Sequence, residues 1–240
     1  MKKIKKFICT PKLNKPVVIP SRKLLLSILE ETRPHVVNKV LTVGEIIGGL
    51  GEFIGSNFRV DVTHAETVEV ELNDIELNAY YDSGLDEYGD IPIELYLLTN
   101  PHDSFIILSD EEFDIIMRRI ADSLIHEVIH MKQSRARDFL EVDDMAYTQV
   151  EDEVEEAQLY LGAYDEIDAY GYNIACELLD RHDLQTSLKK LEKPTEITME
   201  DSINLWAYIN TFAKDPNHPV IRKLVKRVYK TLQKIGKTDS

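Results

Sequence analysis

Two histidines four residues apart, with a glutamate directly after the first, form the stretch of this sequence best suited to chemistry: His126-Glu127-Val128-Ile129-His130. Residues four apart on an α-helix lie nearly one above the other, so both imidazoles can face a single ion. Neutral imidazole nitrogens suit Zn2+, and a catalytic zinc site keeps one coordination position open. Glu127 stands one residue round the helix from His126, within reach of a water at that position, where a carboxylate acts as general base and then general acid. The spacing predicts metal ligands at His126 and His130 and hydrolytic chemistry at Glu127.

A helix across residues 109–134 has to carry this motif. Ser109 and Glu112 have the spacing of a capping box, and Asp110, Glu111 and Glu112 suit the positive end of the helix dipole. Phe113, Ile116, Met117, Ile120 and Leu124 recur at helical spacing. Around the motif stand Leu124, Ile125, Val128, Ile129 and Met131, among which two imidazoles and a carboxylate are costly to bury without a partner. A metal ion is such a partner.

Two histidines do not complete a catalytic zinc site, which takes three protein ligands and a water. A third histidine placed just past a following glycine is absent, because the corresponding positions hold Gln133 and Ala136. The remaining route is a carboxylate from a later helix. Glu166-Ile167-Asp168-Ala169 begins 36 residues past His130 and offers Glu166, with Asp168 as the competing ligand and the small Ala169 allowing close approach. Tyr170 lies four residues beyond Glu166 on the same helix face. It is a candidate for stabilising an oxyanion, and a packed core tyrosine is the other reading. Asp143, Asp144 or Asp168 could hydrogen-bond the far nitrogen of a ligating histidine. His182, Arg135 and Arg137 are weaker substrate-orienting candidates, and His35, His64, His102 and His218 sit in no ligand pattern.

The HExxH helix after a small sheet, then Tyr160-Leu161 and Glu166-Ile167-Asp168-Ala169-Tyr170 on a later helix, resembles the gluzincin group of zinc metallopeptidases. In particular it is similar to small metallopeptidases of tailed bacteriophages and bacteria. The likeness covers residues 105–180 and departs at Asp168, where a second glutamate often stands. It implies a zincin-like fold, zinc held by His126, His130 and Glu166, and a peptide or protein substrate. It also implies a cytoplasmic location, or the host cytoplasm or virion if phage-encoded. A catalytically silent zinc-binding structural or assembly protein on the same fold is the alternative, and an accidental motif in an interaction protein is a third.

Composition narrows the field. The chain has 240 residues and a net charge of −15, which argues against nucleic acid as a partner because phosphate binding needs a basic surface. Cys9 and Cys176 form neither a disulfide framework nor a CxxC pair. No apolar run has the length of a signal-peptide core or a membrane span, so a protein retained inside a cell, away from membranes, is expected.

The order of elements predicts an α+β fold: an arm over residues 1–20, a lobe with sheet and active-site helix over 21–134, and a helical lobe over 135–240, together one compact catalytic unit. A helix from Ser21 ends before Pro34, and a second spans residues 35–43. Residues 44–55, with five glycines, read as a flexible loop or a glycine-rich helix pair. Residues 58–62, 67–72, 75–81, 91–98 and 105–108 read as strands of one small, mostly antiparallel sheet. Asp82-Ser83-Gly84 and Tyr88-Gly89-Asp90 supply its turns. Residues 143–162 and 163–180 read as helices, and two or three more follow from Leu184.

Overall fold

The computed structural model describes residues 17–58, 60–72, 74–140 and 152–238. Most of the expected N-terminal arm, together with Asp143 and Asp144, lies outside them. The architecture is α+β, and the chain divides into two compact units, one up to Phe139 and one from Leu140.

In the first unit, α1 (Arg22–Leu29) starts where Ser21 accepts a hydrogen bond from the Leu24 N–H at 3.2 Å. A 3-10 turn, Glu30–Thr32, leads into α2 (Arg33–Val36), whose first turn holds Pro34. A proline there forfeits an N–H that has no helical partner anyway. Pro34 therefore begins a helical segment instead of stopping one, and the helix expected over residues 35–43 is reduced to this short piece. After β1 (Leu41–Thr42) comes α3 (Val43–Phe58), one continuous helix where a loop or helix pair was expected. Val43, Ile46, Ile47, Leu50, Ile54 and Phe58 are buried, and burial of that stripe outweighs the low helix propensity of the intervening glycines. Gly55 has a second reason to lack a side chain: a Cβ there would lie 3.1 Å from the Val60 carbonyl oxygen.

The expected single sheet is two. β2 (Asp61–Glu66), β3 (Glu76–Tyr81) and β4 (Ile93–Thr99) form a mixed sheet in the order β2-β4-β3, with β2 parallel and β3 antiparallel to β4. β5 (Phe105–Ile106) pairs antiparallel with β1. Residues 67–72 make no strand; Val68 and Leu72 are exposed, and Asn100 donates to the Val70 carbonyl at 2.7 Å in place of a ladder. The two turn signals after β3 belong to α4 (Ser83–Tyr88). Asp82 caps it through the Leu85 N–H at 2.9 Å, and Gly89 closes it at φ 84°, a left-handed conformation that glycine adopts without strain.

α5 (Asp110–Ala136) is the helix the motif required, with both halves of the Ser109–Glu112 capping box formed. It packs against α1, β3 and β4. Arg22 grips Asp122 through two nitrogens at 2.6 and 2.9 Å. Arg33 bonds Asp110 at 2.8 Å and also meets Asp114 and Glu30, while its guanidinium lies 4.4 Å from the centre of the Phe113 ring. The front half of α5 is thereby fixed by ion pairs as well as by burial.

The second unit is helical: α6 (Glu153–Gly162), α7 (Tyr164–Arg181), α8 (Leu184–Lys190), a 3-10 turn (Pro194–Glu196), α9 (Ile203–Thr211) and α10 (Pro219–Thr238). Its core includes Ile174, Leu178, Tyr208, Leu224, Val228 and Leu232. α7 and α10 meet closely at Gly171, where a Cβ would come within 2.5 Å of the Arg227 Cγ. α9 carries Trp206, the single tryptophan of the chain. Among the described residues no helix is long and apolar enough to cross a membrane.

A carboxylate hub closes the α7–α9 connection. Asp201, 8% exposed, meets His182 Nε2 at 2.8 Å and Lys190 Nζ at 2.9 Å, and accepts from the Thr198 N–H and hydroxyl at 3.1 Å each. Burial alone would raise this carboxyl, but Lys190, Thr198 and His182 outweigh it and hold the group well below the usual range. A depressed carboxyl stabilises the fold above its unfolded value of about 3.9, and that contribution is lost as pH falls through the folded value. Asp201→Asn is therefore expected to lower stability at pH 7 by about 1–3 kcal/mol. The gap from the parent should shrink as pH drops below about 4. Thermal melts of both proteins between neutral and acid pH check this, and curves that stay parallel throughout refute it.

Candidate metal centre

The site rests on α5. His126 and His130 stand one turn apart with ring centres separated by 4.7 Å and ring planes at 69°. Their helix is buried around them: Leu124, Ile125, Val128, Ile129 and Met131 are each at most 4% exposed, and His126 and Glu127 are each 7% exposed. His130 Nδ1 lies 3.0 Å from the Gln133 side-chain oxygen. An amide oxygen only accepts, so this contact assigns the proton to Nδ1 and leaves the Nε2 lone pair for a ligand. Gln133 therefore holds the place expected of an aspartate beside a ligating histidine. Nothing beyond its i,i+3 spacing marks it in the sequence.

The last turn of α5 is anchored from below. Arg135 donates from Nε to Asp86 Oδ2 at 2.7 Å, with a second guanidinium nitrogen on Asp86 Oδ1. The Tyr81 hydroxyl donates to the same Oδ2 at 3.0 Å. Asp86 is 2% exposed, and burial, with Asp86 alongside, pushes the Tyr81 hydroxyl far above its ordinary value, so it remains a donor. Arg135, a substrate-orienting candidate by sequence, is committed to this pair instead.

Glu166 occupies the first turn of α7, beside Asp165, at the positive end of the helix dipole. It is surrounded by tyrosines. Burial first, then Tyr170 and Glu166 nearby, pushes the Tyr160 hydroxyl far above its ordinary value. Tyr208 is also pushed up, first by burial and then by Tyr170 and Glu166. The rings of Tyr170 and Tyr208 meet edge to face at 5.5 Å. Tyr170, the oxyanion candidate, packs its ring against Tyr208 and the core of the second unit, as its core reading expects. Tyr160 has no assigned role in the sequence reading, although it stands in the Tyr-Leu pair that leads to Glu166. Asp168 is drawn elsewhere, with its Oδ1 2.9 Å from Arg227 Nε.

One donor atom from each of His126, His130 and Glu166 falls within 4.8 Å of the other two, and among the described residues no other set of His, Cys, Asp or Glu is so grouped. Three of the five remaining histidines are engaged: His64 with the Thr99 hydroxyl at 2.9 Å, His182 with Asp201, and His218 stacked on Phe212 at 4.5 Å. Cys176 is buried on α7 and takes no part. Compared with protein-family models, curated proteins and solved structures, the chain gives no match.

Proposed function

We propose that this chain is a zinc-dependent metallopeptidase with His126, His130 and Glu166 as ligands and Glu127 as its general base and acid. The observation that carries the reading is the grouping of those three donor atoms within 4.8 Å. Two imidazoles and one glutamate are a donor set of catalytic zinc, with the fourth position left to water or substrate. The Gln133 contact orients His130, and Tyr160 lies near Glu166.

A zinc ion held there supplies a Lewis acid that polarises a scissile carbonyl and lowers the pKa of an attacking water. Glu127 accepts the proton of that water as it attacks the carbonyl carbon, then delivers it to the leaving amine as the C–N bond breaks. The Tyr170 hydroxyl, beside Glu166, donates toward the oxygen on which negative charge develops. The apolar flanks of α5 keep bulk water from competing for that charge.

The burial of His126 and Glu127, 7% exposed each, favours a second reading: a silent zinc site that cross-links helices in a structural or assembly protein. Both readings require the ion. Elemental analysis of the purified full chain after zinc reconstitution and dialysis should give one zinc per chain, and His130→Ala should lose it. A parent chain without stoichiometric zinc ends both readings. Cleavage of a mixed peptide library by the zinc-loaded chain separates the first from the second.

A further inference from the structure

A different part of the second unit carries a recognition surface of its own. Net charge over the whole chain is −15, yet seven of the twenty residues of α10 are lysine or arginine and none is acidic. One face of α10 and the neighbouring α8 line an open groove of about 950 Å³. Arg222, Val225, Lys226 and Tyr229 recur at i, i+3, i+4 and i+7, so they form one stripe along α10, and Leu188 and Lys189 face it from α8. Glu192 is the lone carboxylate in the lining. Among the described residues the charged ends of Lys189, Arg222 and Lys226 enter no ion pair. Tyr229 is 43% exposed at the rim.

We propose that this groove docks an acidic, amphipathic segment of a partner protein. Its carboxylates would meet Lys189, Arg222 and Lys226, and its apolar side chains would cover Leu188, Val225 and the Tyr229 ring. Charge complementarity selects the sign of the occupant. The apolar wall selects a peptide over a polyphosphate, because a nucleic-acid backbone would gain nothing from Leu188 and Val225. Lys223 and Lys230 lie on the same helix and are exposed, but outside the lining, so they act as an internal control.

The test uses the full chain and a short fluorescein-labelled peptide rich in glutamate and leucine, followed by fluorescence polarisation. Binding should be saturable and should weaken on the order of tenfold in Arg222→Glu/Lys226→Glu. The charge-matched pair Lys223→Glu/Lys230→Glu should bind within about twofold of the parent, and circular dichroism should show both variants folded. Equal loss in the two pairs would reduce the effect to general charge and overturn the proposal, as would the absence of binding to the parent. Tighter binding of a single-stranded oligonucleotide of matching charge would replace the peptide with nucleic acid. Self-association of the parent that the groove pair abolishes would put a second copy of the chain there instead.

Discussion

Glu127→Gln is expected to leave zinc content unchanged and to reduce peptide hydrolysis by about 10²–10⁴-fold, the range that a positioned general acid–base group contributes. The two side chains are nearly isosteric, so the buried position on α5, 7% exposed in the parent, accepts the amide without a cavity. Glutamine can still hold a water by hydrogen bonding but cannot take its proton, so positioning survives while transfer fails. The comparison is made on equally zinc-loaded proteins with a substrate drawn from the peptide library. Turnover equal to the parent would remove Glu127 from the reaction, even if the metal centre stood. His130→Ala is expected to act differently, losing the zinc and the activity together.

The second large effect concerns stability. Asp86→Ala removes the carboxylate that both the Arg135 guanidinium and the Tyr81 hydroxyl meet beneath the last turn of α5. Losing one partner of a buried ion pair costs about 3–5 kcal/mol, and the lower end applies here because the Arg135 side chain keeps 16% exposure. The double variant Asp86→Ala/Arg135→Met should recover much of the loss, since an apolar side chain carries no charge to strand. Denaturant unfolding of the parent, the single and the double variant checks this. A single variant within about 0.5 kcal/mol of the parent would place the pair among surface contacts of little worth.

α5 and its two histidines were legible in the sequence because local chemistry and periodicity agree there: the Ser109–Glu112 box, the acidic first turn and the apolar stripe all mark one helix. Glu166 was legible as the favoured carboxylate with Asp168 competing, and the structure draws Asp168 to Arg227, 59 residues away in sequence. No local pattern carries that pairing. The continuity of α3 was not legible because its glycines read as punctuation, splitting the reading between a loop and a helix pair, whereas the burial of Ile46, Leu50, Ile54 and Phe58 decides the outcome through contacts the sequence does not display. Asp82 and Gly89 were recognised as special positions and given the wrong role. An aspartate cap and a left-handed glycine serve a short helix as well as a turn, and only the length between them distinguishes the two. The parallel pairing of β2 with β4 was likewise out of reach, because alternation fixes which face a residue takes and not which strand lies beside it.

The lone indole on α9 makes the molecule its own spectroscopic reporter. Emission from Trp206 follows the unit that begins at Leu140, whereas far-ultraviolet dichroism averages over helices in both. One sample heated once therefore yields two traces. Damage introduced at Asp86 should move the dichroism midpoint first, and damage at Asp201 should move the emission midpoint first, so the location of a lesion can be read without any label.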